Sequence, residues 1–213
     1  MMRKWIPLLL VVAAVIASIV AYPQLPEQMP THWSATGEPN DWSSRLWGAW
    51  LLPLMMALVW FVMRALPHVD PRRANYAKFS GMYDGLIVLI LAFMLGIHAV
   101  TLLAATGSPV RMDRVIMPAV GVFIAIMGLM IPRAHPNWFI GIRTPWTLTS
   151  DLSWERTHKV GGNLFVALGL LMVVSTFLAP EIAIWVLVVA AVAITIFLFA
   201  YSYQVWKSDP SKR

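Results

Sequence analysis

The chain has 213 residues, 59% of them hydrophobic and only 12% charged, against about 25% charged residues in an ordinary water-soluble domain. Such a sequence lacks the polar groups to cover a water-facing surface, so lipid is its solvent over most of its length. The absence of cysteine excludes disulfides, thiol catalysis and cysteine metal sites. The formal charge of +6 sits in loops between apolar runs and reads as membrane topology rather than as a nucleic-acid surface.

Six apolar stretches are long enough to cross a bilayer, which takes about 20 residues of helix. The first runs over Trp5–Tyr22, behind Arg3 and Lys4. A charged start and an apolar core also suit a signal peptide, but the run is long and no convincing A-x-A site follows, so an uncleaved span is expected. The others are Trp47–Leu66, Asp84–Thr106, Val115–Pro132, Val160–Ala179 and Ile182–Tyr203. Pro7, Pro53 and Pro118 are expected in or near first turns, where a missing N–H costs little. Pro132 and Pro180 lie at span ends, and no proline is expected to break the middle of a span. Discontinuous helices of the kind transporters use at the bilayer midplane are therefore not expected.

Of the 16 Lys and Arg residues, all but Arg45, Arg111 and Arg114 fall on one side of this alternation. The positive-inside rule then predicts an all-α bundle of six transmembrane helices in the bacterial cytoplasmic membrane, with both termini inside. Trp5, Tyr22, Trp47, Trp50, Trp185, Tyr201, Tyr203 and Trp206 cluster near span ends, as interfacial rings do. Trp60 lies deeper and is expected between helices. Residues 1–66 form an N-terminal two-helix unit with an extracellular loop, 23–46, and residues 67–213 a four-helix unit with a cytoplasmic elbow, 133–159.

Two loops carry specific chemistry. In the outer loop, Pro23, Pro26, Pro30 and Pro39 favour extended or turn conformations, and Gly37 suits a turn. Glu27, Glu38 and Asp41 make it acidic, while His32, Trp33 and Trp42 add aromatic, hydrogen-bonding surface. Two readings stand side by side: a preformed recognition surface for a cationic or amphipathic ligand, centred on His32, Trp33, Glu38 and Asp41, and a proline-stiffened cap over the helix ends. One histidine and two acids at loose spacing do not make a metal site.

The elbow carries Asn137, Gly141, Arg143, Thr144, Pro145, Trp146, Trp154, His158 and Gly161. Phe139, Ile140, Ile142 and Trp146 are too apolar for a solvated loop and should lie in the interface or against helix ends. Arg143 can anchor a lipid phosphate or bond helix-terminal carbonyls. Thr149 or Ser150 is expected to cap a short amphipathic helix bearing Trp154, Glu155 and His158. Glu155 and His158 share a helical face but lack the first histidine of a zinc-protease motif. A packed interfacial elbow is favoured over a catalytic pair.

Leu25-Pro26, Pro30, Thr31, His32, Trp33, Gly37 and Glu38 resemble an N-terminal domain of unknown function. The run Pro136-Asn137-x-Phe139-Ile140-Gly141-Ile142-Arg143-Thr144-Pro145-Trp146-Thr147-Leu148, followed by Trp154, His158 and Gly161-Gly162, resembles the signature of the SdpI family. These are bacterial membrane proteins named for an immunity protein that protects its producer against its own secreted killing peptide. The resemblance implies a binding protein conferring immunity to, or sensing, a membrane-active antimicrobial peptide. It also implies signalling through a cytoplasmic ArsR-like transcriptional repressor held at the membrane, without direct contact to nucleic acid.

The alternative is a transporter of small molecules or peptides, which needs polar groups within the spans. Only His98 sits deep, with Thr101 near it, and an interhelical hydrogen bond explains it more simply. Asp84 and Arg64 lie at the border and can snorkel. No Ser/His or paired-Asp arrangement occurs within the spans, so neither an enzyme nor a cofactor is expected.

Overall fold

The structure is a computed structural model that describes residues 5–34, 36–178 and 180–211. Arg3, Lys4, Lys212 and Arg213, which enter the charge bias, and Ala179, the end of the fifth expected span, lie outside the described residues. Six helices are long and apolar enough to cross a membrane. They are α1 (Ile6–Ala21), α2 (Arg45–Val69), α3 (Ser80–Ala105), α4 (Met112–Met130), α6 (Asp151–Leu178) and α7 (Pro180–Ser208). A five-residue helix, α5 (Pro145–Thr149), lies in the elbow, and a 3-10 segment, Arg73–Phe79, precedes α3. The chain is thus an all-α multi-pass membrane protein, with one small addition between α1 and α2. That addition is an antiparallel hairpin of β1 (Gln28–Trp33) and β2 (Pro39–Ser44).

α1, α2 and α3 pack on one another, α6 packs between α4 and α7, and α3 meets α4 along a sparser seam. On α1 the buried positions Pro7, Val11, Ala14 and Ser18 recur at helical spacing, giving one face toward α2 and α3. Trp60 packs against the core that these three helices share with the 3-10 segment, where Tyr76, Phe79 and Tyr83 are buried. His98, fully buried on α3, bonds a neighbouring helix. Its Nε2 is 2.9 Å from Ser18 Oγ, and Ser18 Oγ donates to Ala49 O at 2.6 Å, so one hydroxyl ties α1, α2 and α3 together.

α4 and α6 approach by backbone. A Cβ added to Gly121 would lie 2.7 Å from Gly169 O, and one added to Gly128 would lie 2.6 Å from Gly162 O. The two glycine pairs are seven residues apart on each helix, the small-residue seam that lets membrane helices touch closely.

Two expected boundaries move. α2 begins at Arg45, behind Ser44, whose hydroxyl accepts from Trp47 N–H, so Pro53 stands two turns inside a helix that continues past it. Pro118 likewise lies inside α4. The short capped helix expected around Trp154 is instead the start of α6, which runs unbroken for 28 residues. Gly161 and Gly162 do not interrupt it, because both are consumed by close packing. A Cβ at Gly161 would overlap Ile142, and one at Gly162 would lie 2.5 Å from the Pro132 ring.

Candidate functional site

The elbow is organised around Asn137, which is fully buried. Its amide nitrogen donates to His135 O at 2.9 Å and Ile140 O at 2.8 Å. Its amide oxygen accepts from Phe139 N–H at 2.9 Å and Ile140 N–H at 2.6 Å. One side chain therefore meets four backbone groups of a loop that has no helix or sheet to meet them.

The next turn closes on α6. Gly141 has φ +122°, and a Cβ there would overlap His158 Nε2. His158 is buried with both ring nitrogens engaged: Nδ1 donates to Trp154 O at 2.7 Å, and Nε2 accepts from Ile142 N–H at 3.0 Å. Those partners fix a neutral tautomer and leave no nitrogen for a metal or for proton transfer. Trp154 stacks on His158 with ring centroids 4.0 Å apart, and its indole N–H donates to Ala134 O at 2.8 Å. Glu155 is exposed, so the pair that shares a helical register is not brought together at a common site.

Thr144 caps α5 in a reciprocal arrangement with Thr147, and Pro145 takes the first helical position. Thr144 Oγ1 also donates to Ser202 Oγ at 3.0 Å, and Ser153 Oγ donates to Ser202 O at 2.9 Å, binding the elbow to α7. Trp146 packs edge-on against Phe199, centroids 4.6 Å apart, and against Tyr203. Arg143 is exposed, and its guanidinium donates to Trp138 O, a carbonyl of the loop rather than of a helix end, at 2.7 Å. Ser150 caps α6 through Ser153 N–H and donates to the Asp209 carboxylate.

A second clamp has no counterpart in the motif. Asp70, at the end of α2, is buried. Its carboxylate accepts from Arg72 N–H, Tyr76 OH and Trp138 N–H at 2.7–3.0 Å. Asn75 donates to Pro136 O at 2.7 Å, and Arg72 donates to Leu148 O at 2.6 Å. The α2–α3 connection thus grips the elbow from the other side. Two polar cavities, of about 360 and 380 Å³, flank that grip and share Asn75, Pro136 and Asp151.

The hairpin lies at the opposite end of the bundle. Met29 of β1 is fully buried among Leu25, Ala49 and Leu102. A Cβ at Gly48 would lie 2.7 Å from the Met29 sulfur, so the strand sits directly on α2. At the base, Arg45 N–H bonds Glu27 O at 2.9 Å, and the Arg45 guanidinium lies 5.8 Å from the Tyr22 ring centre. His32 and Asp41 are register partners across the strands. His32 Nδ1 is 2.5 Å from Asn40 Oδ1, and Asp41 Oδ1 accepts from Trp42 N–H at 2.9 Å. His32, Glu38 and Asp41 are exposed, while Trp33 is half-buried. The tip, with Gly37 at φ +83°, rests on the first turn of α4, where a Cβ would lie 2.9 Å from Asp113 Oδ1. Asp113 is buried and paired with Arg111 at 2.7 Å; the carboxylate also raises the Arg111 pKa. His32, Trp33 and Asp113 line a cavity of about 260 Å³ between hairpin, α3 and α4. No group of three or more potential metal ligands occurs among the described residues.

The motif residues are thus divided. Asn137, Gly141, Thr144, Trp154, His158 and Gly161 interlock inside the elbow, with Arg143 and Trp146 on its flanks, and the hairpin four stand at the other end. Asp70, Asp113, Ser202 and Asp209 were not singled out from sequence. Asp70, Ser202 and Asp209 have partners 58 to 68 positions away, which no local pattern marks, while Asp113 pairs with Arg111 two positions away in a loop that reads as solvated.

These features define a multi-pass protein of the cytoplasmic membrane with a hydrogen-bonded polar elbow at one end and a small hairpin at the other. Residues 133–202 match the SdpI/YfhL protein family, and residues 9–57 match a domain of unknown function, DUF1648. The chain is 26% identical over 207 residues to the Immunity protein SdpI of Bacillus subtilis (strain 168), covering 97% of each chain. It is 44% identical over 48 residues to the uncharacterized membrane protein YbgB of the same organism, covering 22% of this chain and 53% of that one. No solved structure matches it. The chain thus resembles the SdpI family in its C-terminal third and an SdpI immunity protein over almost its whole length.

Proposed function

We propose that this protein confers immunity to a secreted, membrane-active antimicrobial peptide. The hairpin faces outward, and the elbow and both chain ends lie in the cytoplasm. The observation that carries the reading is similarity to an immunity protein over 97% of both chains, which spans hairpin and elbow alike. Capture of the peptide at the hairpin lowers the amount free to insert. His32, Glu38 and Asp41 are exposed on a preformed ribbon, so they meet a ligand without an ordering cost. The acids complement the cationic face, and Trp33 and Trp42 the apolar face, that peptides acting on membranes commonly carry. On the inner side, ligand binding shifts the equilibrium of the elbow, whose polar cavities face an ArsR-like repressor. Transport is not favoured: His98, the deep polar group a path would have needed, bonds Ser18 of a neighbouring helix.

The test is the triple variant Glu38→Gln, Asp41→Asn and His32→Gln, which keeps every proline and tryptophan. Asp41→Asn retains the oxygen that accepts from Trp42 N–H. Melting temperature in detergent and membrane level report folding. Survival of a sensitive host under a panel of membrane-active peptides reports protection. Normal folding with reduced protection supports recognition. A triple variant that folds and protects like the parent, against a peptide the parent resists, removes these residues from the recognition site.

A further inference from the structure

Four charged side chains converge on the larger of the elbow's two polar cavities, about 380 Å³ in volume. Lys78 lies just ahead of α3, and Arg133 closes the turn that follows α4. Asp151 and Glu155 stand on the first two turns of α6. Taken singly, each has an ordinary explanation, since a cation suits the end of a helix and an acid its start. Their convergence has none. All four are exposed, and no side chain among them makes a hydrogen bond or ion pair with a described residue, although opposite charges line the same space. Asp151 and Glu155 are also one turn apart, a like-charge spacing that disfavours a helix unless a cation lies between them.

The charges are ordered along the membrane normal. The Pro132 ring packs against Gly162, so Arg133 leaves the bundle near that level. Leu129, one turn below Arg133, is an apolar side chain 59% exposed, so hydrocarbon begins there. Lys78 lies a little further out, between Asn75, which bonds Pro136 O, and Phe79, whose ring stacks on His135. Glu155 and Asp151 precede Gly162 on an unbroken helix by about two and three turns, which puts them roughly 10 and 16 Å beyond it. Moving outward from the lipid, the cavity presents cations and then acids.

A zwitterionic phospholipid presents phosphate and then ammonium in that order. An anionic headgroup would match the cations but face both acids, and a lone cation would leave Lys78 and Arg133 unmatched. A primary ammonium brings three N–H donors to the carboxylates. A quaternary ammonium brings none and is held instead by open aromatic faces. The rings lining this cavity are already taken, Trp154 by His158 and His135 by Phe79.

We propose that this cavity is a headgroup site for phosphatidylethanolamine in the leaflet on the elbow side. Arg133 and Lys78 bind the phosphate, and Glu155 and Asp151 the ammonium. A lipid seated there touches α3, α4 and α6 at once and so bridges the sparse seam between α3 and α4. The site is independent of the immunity function. The other polar cavity, beside Arg72 and Ser211, contains neither Lys78 nor Arg133 and is left to the cytoplasmic partner proposed above.

The full chain in detergent is titrated with phosphatidylethanolamine, its N-methyl and N,N-dimethyl derivatives, phosphatidylcholine and phosphatidylglycerol. All carry the same acyl chains, EDTA is present, and native mass spectrometry counts bound lipid. Phosphatidylethanolamine should bind at least about tenfold tighter than phosphatidylcholine or phosphatidylglycerol, and affinity should fall with each added methyl. Asp151→Asn with Glu155→Gln should abolish that preference and let phosphatidylglycerol bind as well or better. Lys78→Gln with Arg133→Gln should weaken phosphatidylethanolamine at least about tenfold. Arg64→Gln with Arg73→Gln removes two exposed cations from the same end but outside the cavity, and should change neither result. Every substituted side chain is exposed, and the headgroup series on the parent needs no variant. A flat methyl series, equal binding of phosphatidylglycerol by the parent, or a preference that survives the acid double variant overturns the proposal. So does displacement of the lipid by glycerophosphoethanolamine at equal concentration, which makes the occupant a soluble phosphoester rather than a lipid.

Discussion

Replacing Asn137 by alanine tests whether one amide holds the elbow closed. The amide makes four hydrogen bonds, all to backbone groups of residues 135–140 and all between 2.6 and 2.9 Å. Each neutral bond contributes about 1 kcal/mol net, and a buried group left without a partner costs about 1–3 kcal/mol. The elbow lies at the membrane surface, where water reaches some of the released groups, so about 3 kcal/mol is a fair value for the whole. That raises the population of the opened elbow roughly a hundredfold. Ala134→Cys reports it directly, because position 134 is 6% exposed and the chain has no other cysteine. Maleimide labelling of that introduced thiol should accelerate by roughly two orders of magnitude when Asn137→Ala is added, with a lower melting temperature. Trp138→Ala, one residue away at a side chain 46% exposed, should change little. Equal labelling rates and melting temperatures in Asn137→Ala and its parent would refute the account of the elbow.

Two further predictions concern topology and packing. Reporter fusions after residues 30, 75, 110, 145 and 213 should read out, in, out, in and in, and an external C-terminal reporter would sink the proposed orientation. Gly128→Leu should destabilise the bundle by at least about 1–3 kcal/mol, because its side chain meets Gly162 O and Val166 N of α6. Thermal unfolding in detergent compares it with Gly96→Leu, where an added Cβ meets nothing within 4 Å and no loss is expected, and equal losses would refute the glycine-seam account.

The spans were legible because each is a run of about 20 apolar residues flanked by charges, a pattern that needs no partner to be read. His98 was legible for the same reason: a lone polar group in hydrocarbon has few fates, and a bond to a neighbouring helix is the commonest. The elbow motif showed that Gly141, Trp154 and His158 belong together, but not that Gly141 exists to clear the His158 ring. Its apolar character did foretell contact with helix ends, as Trp146 against Phe199 illustrates. Strand pairing in the outer loop was hidden by Pro30 and Pro39, which removed alternation and left only an extended, turn-containing segment to read. The bulged register around Pro30 and His32 is how the pairing tolerates the missing N–H. Asp70 stayed invisible because its function is set by Trp138, 68 residues on, and a single acid at a helix end reads as solvated.

The backbone contacts at Gly121–Gly169 and Gly128–Gly162 have a mechanical consequence. Two helices riveted at two points cannot bend independently, so α4 and α6 move as one beam. From Asp113, under the hairpin, to Pro132, against Gly162, that beam is about 28 Å long at 1.5 Å per residue. A tilt of only about 4° displaces its far end by about 2 Å over that length. A displacement of that size, with the α2–α3 connection held in place, would part Trp138 N–H from Asp70, which lie 2.9 Å apart.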